Sequence, residues 1–127
     1  MPYQISWEKK GVVQKFHDVI TPIELISCNE NVYGDSRFDA IRYQILNLTE
    51  VRTVDLTDPD KAIQLVRRIA ATDRAAAKSN PNMKIAIVAS LEILGSLANL
   101  YSSELSDSPW LSDVFETETE AREWLGI

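Results

Sequence analysis

One cysteine, Cys28, and one histidine, His17, are all the sequence offers of the two residue types on which most metal and nucleophile chemistry depends. A disulfide framework and a Cys/His zinc site are therefore excluded by count. With four glycines in 127 residues, no G-x-G-x-x-G, Walker A or G-x-S-x-G pattern occurs. A glycine-lined phosphate cradle and a nucleophile elbow go with them. Long apolar runs are missing too: the best candidate, Met83 to Ala89, is interrupted by Lys84 and falls far short of the ~20 residues that span a bilayer. Met1 to Trp7 has neither a basic lead nor an apolar stretch, so no signal peptide is expected and a cytoplasmic location is. An unpaired cysteine agrees with that reducing compartment.

Positive charge is also scarce, 13 Lys and Arg against 19 Asp and Glu, for a net charge of −6. The imbalance is local. From residue 104 onward seven acids (Glu104, Asp107, Asp113, Glu116, Glu118, Glu120, Glu123) face a single base, Arg122, whereas the first 103 residues are balanced. A net-negative chain is repelled by nucleic acid phosphates and anionic lipid, so neither a nucleic acid partner nor stable membrane insertion is expected. The acidic end reads as the solvated start of a helix.

What remains is an ordinary globular mixture, 45% hydrophobic and 25% charged, at a length suited to one domain over residues 1–127. Tyr3, Ile5 and Trp7 alternate with polar neighbours, Lys9-Lys10-Gly11 turns, and Val12, Val13 and Phe16 resume: a hairpin. Thr21-Pro22-Ile23-Glu24 carries a hydroxyl N-cap, a first-turn proline and a glutamate three residues after the cap. The helix it opens should bring Ile23, Ile26 and Cys28 inward and end near Gly34. After a polar connection, Asp35 to Asp39, the stretch Arg42 to Leu48 leaves little of either face for water and reads as a central strand. Val51 to Leu56 is a weaker strand signal.

Asp58 and Pro59 open the long run Asp60 to Lys78, whose Ala62, Leu65, Val66, Ile69, Ala70, Asp73 and Ala77 form one stripe of period 3.6. Ser79-Asn80-Pro81-Asn82 breaks it, Met83 to Ala89 is a second buried strand, and Ser90 heads a helix through Leu94, Ala98, Tyr101 and Leu105. Beyond the loop Ser106 to Ser112, Val114 and Phe115 make a short strand. A second capping box, Thr117 to Glu120, then opens a helix that turns Ala121, Trp124 and Leu125 inward. The order is β-β-α-β-α-β-α-β-α, an α/β fold with a mixed, mainly parallel sheet, the first hairpin supplying its antiparallel edge.

This order resembles the STAS domain (sulfate transporter and anti-sigma factor antagonist), in particular its divergent, free-standing bacterial branch grouped with the CRAL-TRIO lipid-binding fold. The likeness is carried by Ile45-Leu46-Asn47-Leu48-Thr49 with Val51 to Asp55, and by the ending Val114 to Leu125. In anti-sigma factor antagonists the loop after this strand holds an Asp, a phosphorylatable Ser and a Gly. The resemblance places Asp55 on the first and the hydroxyl of Thr57 near the second, while Asp58 replaces the glycine, giving a possible regulatory loop of Asp55, Thr57 and Asp58. A phosphate on Thr57 would meet the like charges of Asp55, Asp58 and Asp60.

Those three aspartates also admit a magnesium reading, but acids before a helix more often cap it. His17 beside Asp18 has no nucleophile placed near it, and Cys28 reads as a small core residue. No catalytic, cofactor or metal residue is assigned. Arg67, Arg74 and Lys78 share one side of the long helix, with Lys61 and Arg68 on a neighbouring line. Together with Trp110 they form a possible partner face. The first expectation is thus a non-enzymatic STAS-like regulatory or interaction module that docks a protein partner, itself a homodimer. The alternative is a small carrier or sensor that holds an apolar or lipid-like ligand between sheet and helices.

Overall fold

The computed structural model of the chain describes residues 3–54, 58–90 and 92–127, the side chain of residue 93 left aside. In chain order the elements are β1 (Tyr3–Trp7), β2 (Gly11–Ile20), α1 (Pro22–Tyr33), a 3₁₀ turn (Phe38–Ala40), β3 (Tyr43–Val54), α2 (Pro59–Ala76), β4 (Lys84–Val88), α3 (Glu92–Glu104), β5 (Leu111–Phe115) and α4 (Glu118–Leu125). The strands form one sheet in the order β1-β2-β3-β4-β5. β1 is antiparallel to β2, and the other pairs are parallel.

Because strand order follows chain order, each crossover steps the same way. Right-handed connections then put α1, α2 and α3 on one face of the sheet and leave α4 for the other. The pleat sorts the side chains accordingly. On β3 and β4, Leu48, Ile85 and Ile87 join the large core under α1 to α3, whereas Tyr43, Ile45, Ala86 and Val88 pack with Ala121 of α4. The two strands lie side by side, Tyr43 opposite Lys84 through Asn47 opposite Val88. Covering on both faces is the reason they read as nearly continuous apolar runs.

The helix caps follow the sequence. Thr21 Oγ1 accepts the Glu24 N–H at 3.3 Å, and Gly34 closes α1 with its N–H on the Glu30 carbonyl. Thr117 Oγ1 accepts the Glu120 N–H at 3.2 Å and donates to Glu120 Oε1 at 3.1 Å. Gly126, at φ 77°, ends α4 in the left-handed conformation that glycine adopts without penalty.

Four details differ from the sequence reading. Val51 begins no separate strand, since β3 runs unbroken to Val54; residues 55–57 lie outside the described set. The connection after Gly34 contains the 3₁₀ turn, with Phe38 buried. Ile23 is 80% exposed rather than inward. Leu25, Cys28 and Val32 make the inner stripe of α1, and Ile23 stands about 200° around the helix from Leu25. Finally, β1 is the edge and β2 an interior strand that continues to Ile20 through register shifts around His17 and Asp18. Asp18 takes up the irregularity at φ 61°, a conformation that Asp tolerates better than most residues.

α4 is tied down by a polar network. The Arg122 guanidinium donates to both Glu8 oxygens, at 3.2 and 2.7 Å, and its Nε to Glu118 Oε2 at 3.3 Å. Asn47 Nδ2 reaches Glu118 Oε1 at 3.0 Å, and the Tyr43 hydroxyl donates to Glu8 Oε1. The Arg122 guanidinium holds the Glu8 carboxyl below its usual range.

Candidate functional site

Between the sheet and α1 to α3 the packing is incomplete. A partly open cavity of about 110 Å³ lies there, walled mainly by aliphatic side chains of β2, β3, β4, α2 and α3. The stripe of α2 forms its roof, from Ala62 through Leu65, Val66 and Ile69 to Asp73. That stretch is about 16 Å of helix. Apart from Asn29 on α1, the polar lining is Gln14, Gln44, Asp73 and Tyr101.

Asp73 is 3% exposed and, among the described residues, is held by no cation. Its two carboxylate oxygens instead accept the hydroxyls of Tyr33 from α1 and Tyr101 from α3. Three helices thus converge on one buried acid. Burial pushes the Asp73 carboxyl from 3.8 up to about 6, against the opposing pull of the two tyrosine hydrogen bonds. Both phenols are driven well above 10 by burial and by the neighbouring carboxylate.

Gln14 Nε2 donates to Gln44 Oε1 at 3.0 Å. Gln44, 4% exposed, also interacts through its side chain with the Tyr33 hydroxyl, which pulls that phenol down against the larger upward push of burial.

A pH dependence follows. The folded pKa of Asp73, about 6, stands above the ordinary 3.8, so the folded state holds this proton more tightly than the unfolded chain does. The associated stability, about 3 kcal/mol, is complete below pH ~4 and is lost as pH rises through ~6. Relative to Asp73→Asn, the parent protein should lose about 2 kcal/mol between pH 4.5 and 7 in urea unfolding. Taking the difference cancels His17 and the surface carboxylates. A pH-independent difference would contradict the buried placement.

The residues marked in the sequence scatter. Asp55 and Thr57 lie outside the described residues. Asp58 caps α2, accepting the Asp60 N–H at 2.9 Å. Arg67 Nε meets Glu104 Oε1 at 3.1 Å, and Arg74 Nη1 donates to the Glu104 carbonyl at 2.6 Å, so both serve the C-terminus of α3. Lys78 lies past the end of α2, exposed. Trp110 is no part of an outer face: it is 2% exposed, with its indole N–H on the Asn80 carbonyl at 2.6 Å. His17 Nδ1 pairs with Asp18 Oδ2 at 2.9 Å on a largely open surface. Cys28 is buried, and desolvation pushes its thiol up to about 12. Among the described residues no group of three or more His, Cys, Asp or Glu is arranged to hold a metal.

The sequence reading placed Asp73 on the apolar stripe without a role. An acid at an inward position of an amphipathic helix was the signal. Nothing local marked Tyr33, Gln14 or Gln44.

Strand order, the antiparallel first strand and the helix on the far face together define a STAS-like fold of the SpoIIAA-like kind. Solved structures share it across nearly the whole chain. One is an uncharacterised protein of the DUF3478 family with a SpoIIAA-like fold from Shewanella loihica PV-4, at 15% identity and TM-score 0.56, covering 97% of this chain and 91% of that one. Another is the anti-sigma factor antagonist SpoIIAA in its unphosphorylated form, at 14% identity and TM-score 0.58, covering 98% and 97%. No protein-family model matches the sequence, and no curated protein does. No helix among the described residues is long and apolar enough to cross a membrane.

Proposed function

We propose that the protein is a STAS-like regulatory or interaction module that docks a protein partner, acts as a homodimer and performs no catalysis. The observation that carries this reading is the SpoIIAA-like fold, extending over 98% of the chain, which one anti-sigma factor antagonist shares. The state of the reactive side chains supports it. The Cys28 thiol is buried and fully protonated at neutral pH, and His17 pairs with a surface aspartate. The contact surface assigned in this reading is the corner between β2 and α1, where Val19 is 42% and Ile23 80% exposed. Large apolar side chains in water favour such a contact. Light scattering after size exclusion, followed by affinity capture, tests it with wild type and Ile23→Asp. The reading expects a dimer and a captured protein that Ile23→Asp releases; a strict monomer that retains nothing overturns it.

The cavity favours a second reading, a small carrier or sensor for an apolar or lipid-like ligand between sheet and helices. Native mass spectrometry of freshly purified protein should then show an added small-molecule mass.

A further inference from the structure

We propose that the cavity under α2 binds a small organic cation: a protonated amine on an apolar group, its ammonium paired with the Asp73 carboxylate. This rests on the second reading above and adds the chemistry of the ligand's polar end. The wall selects the apolar group, since Leu65, Val66, Ile69 and Leu97 line the cavity and favour an occupant that keeps water away from them. Size sets the limit. A cavity of about 110 Å³ is somewhat smaller than the roughly 150 Å³ space known to admit benzene, so about five non-hydrogen atoms fit. The cavity is partly open, which leaves a molecule of that size a way in.

The charge inventory selects the polar end. Asp73 is 3% exposed, and its two oxygens accept the phenol protons of Tyr33 and Tyr101. Donors on both oxygens favour the ionised carboxyl. Those donors are neutral, and so are the amides of Gln14, Asn29 and Gln44 that complete the polar lining. Among the described residues no Lys, Arg or His lines the cavity. Arg74, the next residue along the chain, donates to the Glu104 carbonyl instead. A carboxylate taken out of water without a countercharge is costly, and an ammonium beside it supplies that charge. An ionised carboxyl has about four acceptor positions, so room for a donor remains after the two phenols. The ion pair uses neither glutamine amide, so their orientation does not enter. An anionic ligand would meet the like charge of Asp73.

The test uses the full chain at neutral pH and two probes of equal size, n-butylammonium chloride and 1-butanol. Binding is followed in ¹H–¹⁵N correlation spectra by the backbone amides of Val66, Ile69 and Ala98, which line the cavity. n-Butylammonium is expected to bind about tenfold more tightly than 1-butanol, as one charge-assisted hydrogen bond implies. By linkage, saturation with it should lower the ¹³C titration midpoint of Asp73 by about one unit relative to NaCl at the same ionic strength. 1-Butanol should leave that midpoint in place. In Asp73→Asn the two probes should bind alike. If that variant does not fold, the wild-type preference and the Asp73 midpoint decide. Equal binding of both probes to wild type, or cavity shifts with 1-butanol alone, overturns the cationic end while leaving an apolar cavity site. No shift of the cavity amides with either probe overturns both.

Discussion

Gly11→Ala should destabilise the fold by about 3 kcal/mol, near the upper end for an inserted methyl group in a packed site. A Cβ at position 11 would lie 2.2–2.4 Å from three ring atoms of Tyr43, well inside van der Waals contact. The ring has little freedom to retreat. Tyr43 is 8% exposed, packs in the cluster with Ile45 and Ala86, and donates its hydroxyl to Glu8. Movement there would disturb the Glu8–Arg122 pair that fastens α4. Paired residues of this kind are non-additive. In a Tyr43→Ala background the Gly11→Ala change should therefore cost under 1 kcal/mol, whereas strict additivity in denaturant unfolding would show that the two positions do not touch.

Trp110→Ala should cost more, about 3–5 kcal/mol, the range for removing a large buried aromatic. For a chain of this length that is a fall of roughly 15 °C in Tm. The side chain closes the end of the core where three loops meet. Its ring lies 6.2 Å from that of Tyr33 and 6.3 Å from that of Phe38. Its indole N–H holds the carbonyl of Asn80, whose own amide donates to the carbonyls of Phe38 and Ile41, each at 2.9 Å. Trp110→Phe keeps most of the ring and forfeits the N–H, so it should cost about 1–2 kcal/mol. Calorimetry on the two variants separates packing from hydrogen bonding, and a Trp110→Ala protein as stable as wild type would refute the buried position.

These cases also show which parts of the molecule were written locally. β3 and β4 could be read because covering on both faces leaves consecutive apolar residues, and α1 and α4 because a cap is a pattern of four neighbours. Trp110 could not. It sits among serines in a polar loop, and its partner, Asn80, is 30 residues away. Ile23 looked inward as an apolar residue at a helix start, but the face of α1 is set by its packing on the sheet, which Leu25, Cys28 and Val32 satisfy. The basic side of α2 was legible as a stripe. That Glu104 receives both Arg67 and Arg74 depends on where α3 ends, and no spacing within α2 encodes that.

The cavity is the extreme case. Asp73 lay on a legible stripe of α2 with no role attached, whereas Tyr33 and Tyr101, which bond it, and Gln14 and Gln44 come from four other elements and meet only in the folded sheet.

The most direct test of the account is the titration of the Asp73 side-chain carboxyl by ¹³C NMR, with Asp73→Asn to assign the resonance. A carboxyl enclosed by α1, α2 and α3, facing two tyrosine hydroxyls and an apolar cavity, is predicted to titrate near 6. A midpoint near the ordinary 3.8 would place that side chain in water and contradict the enclosed site.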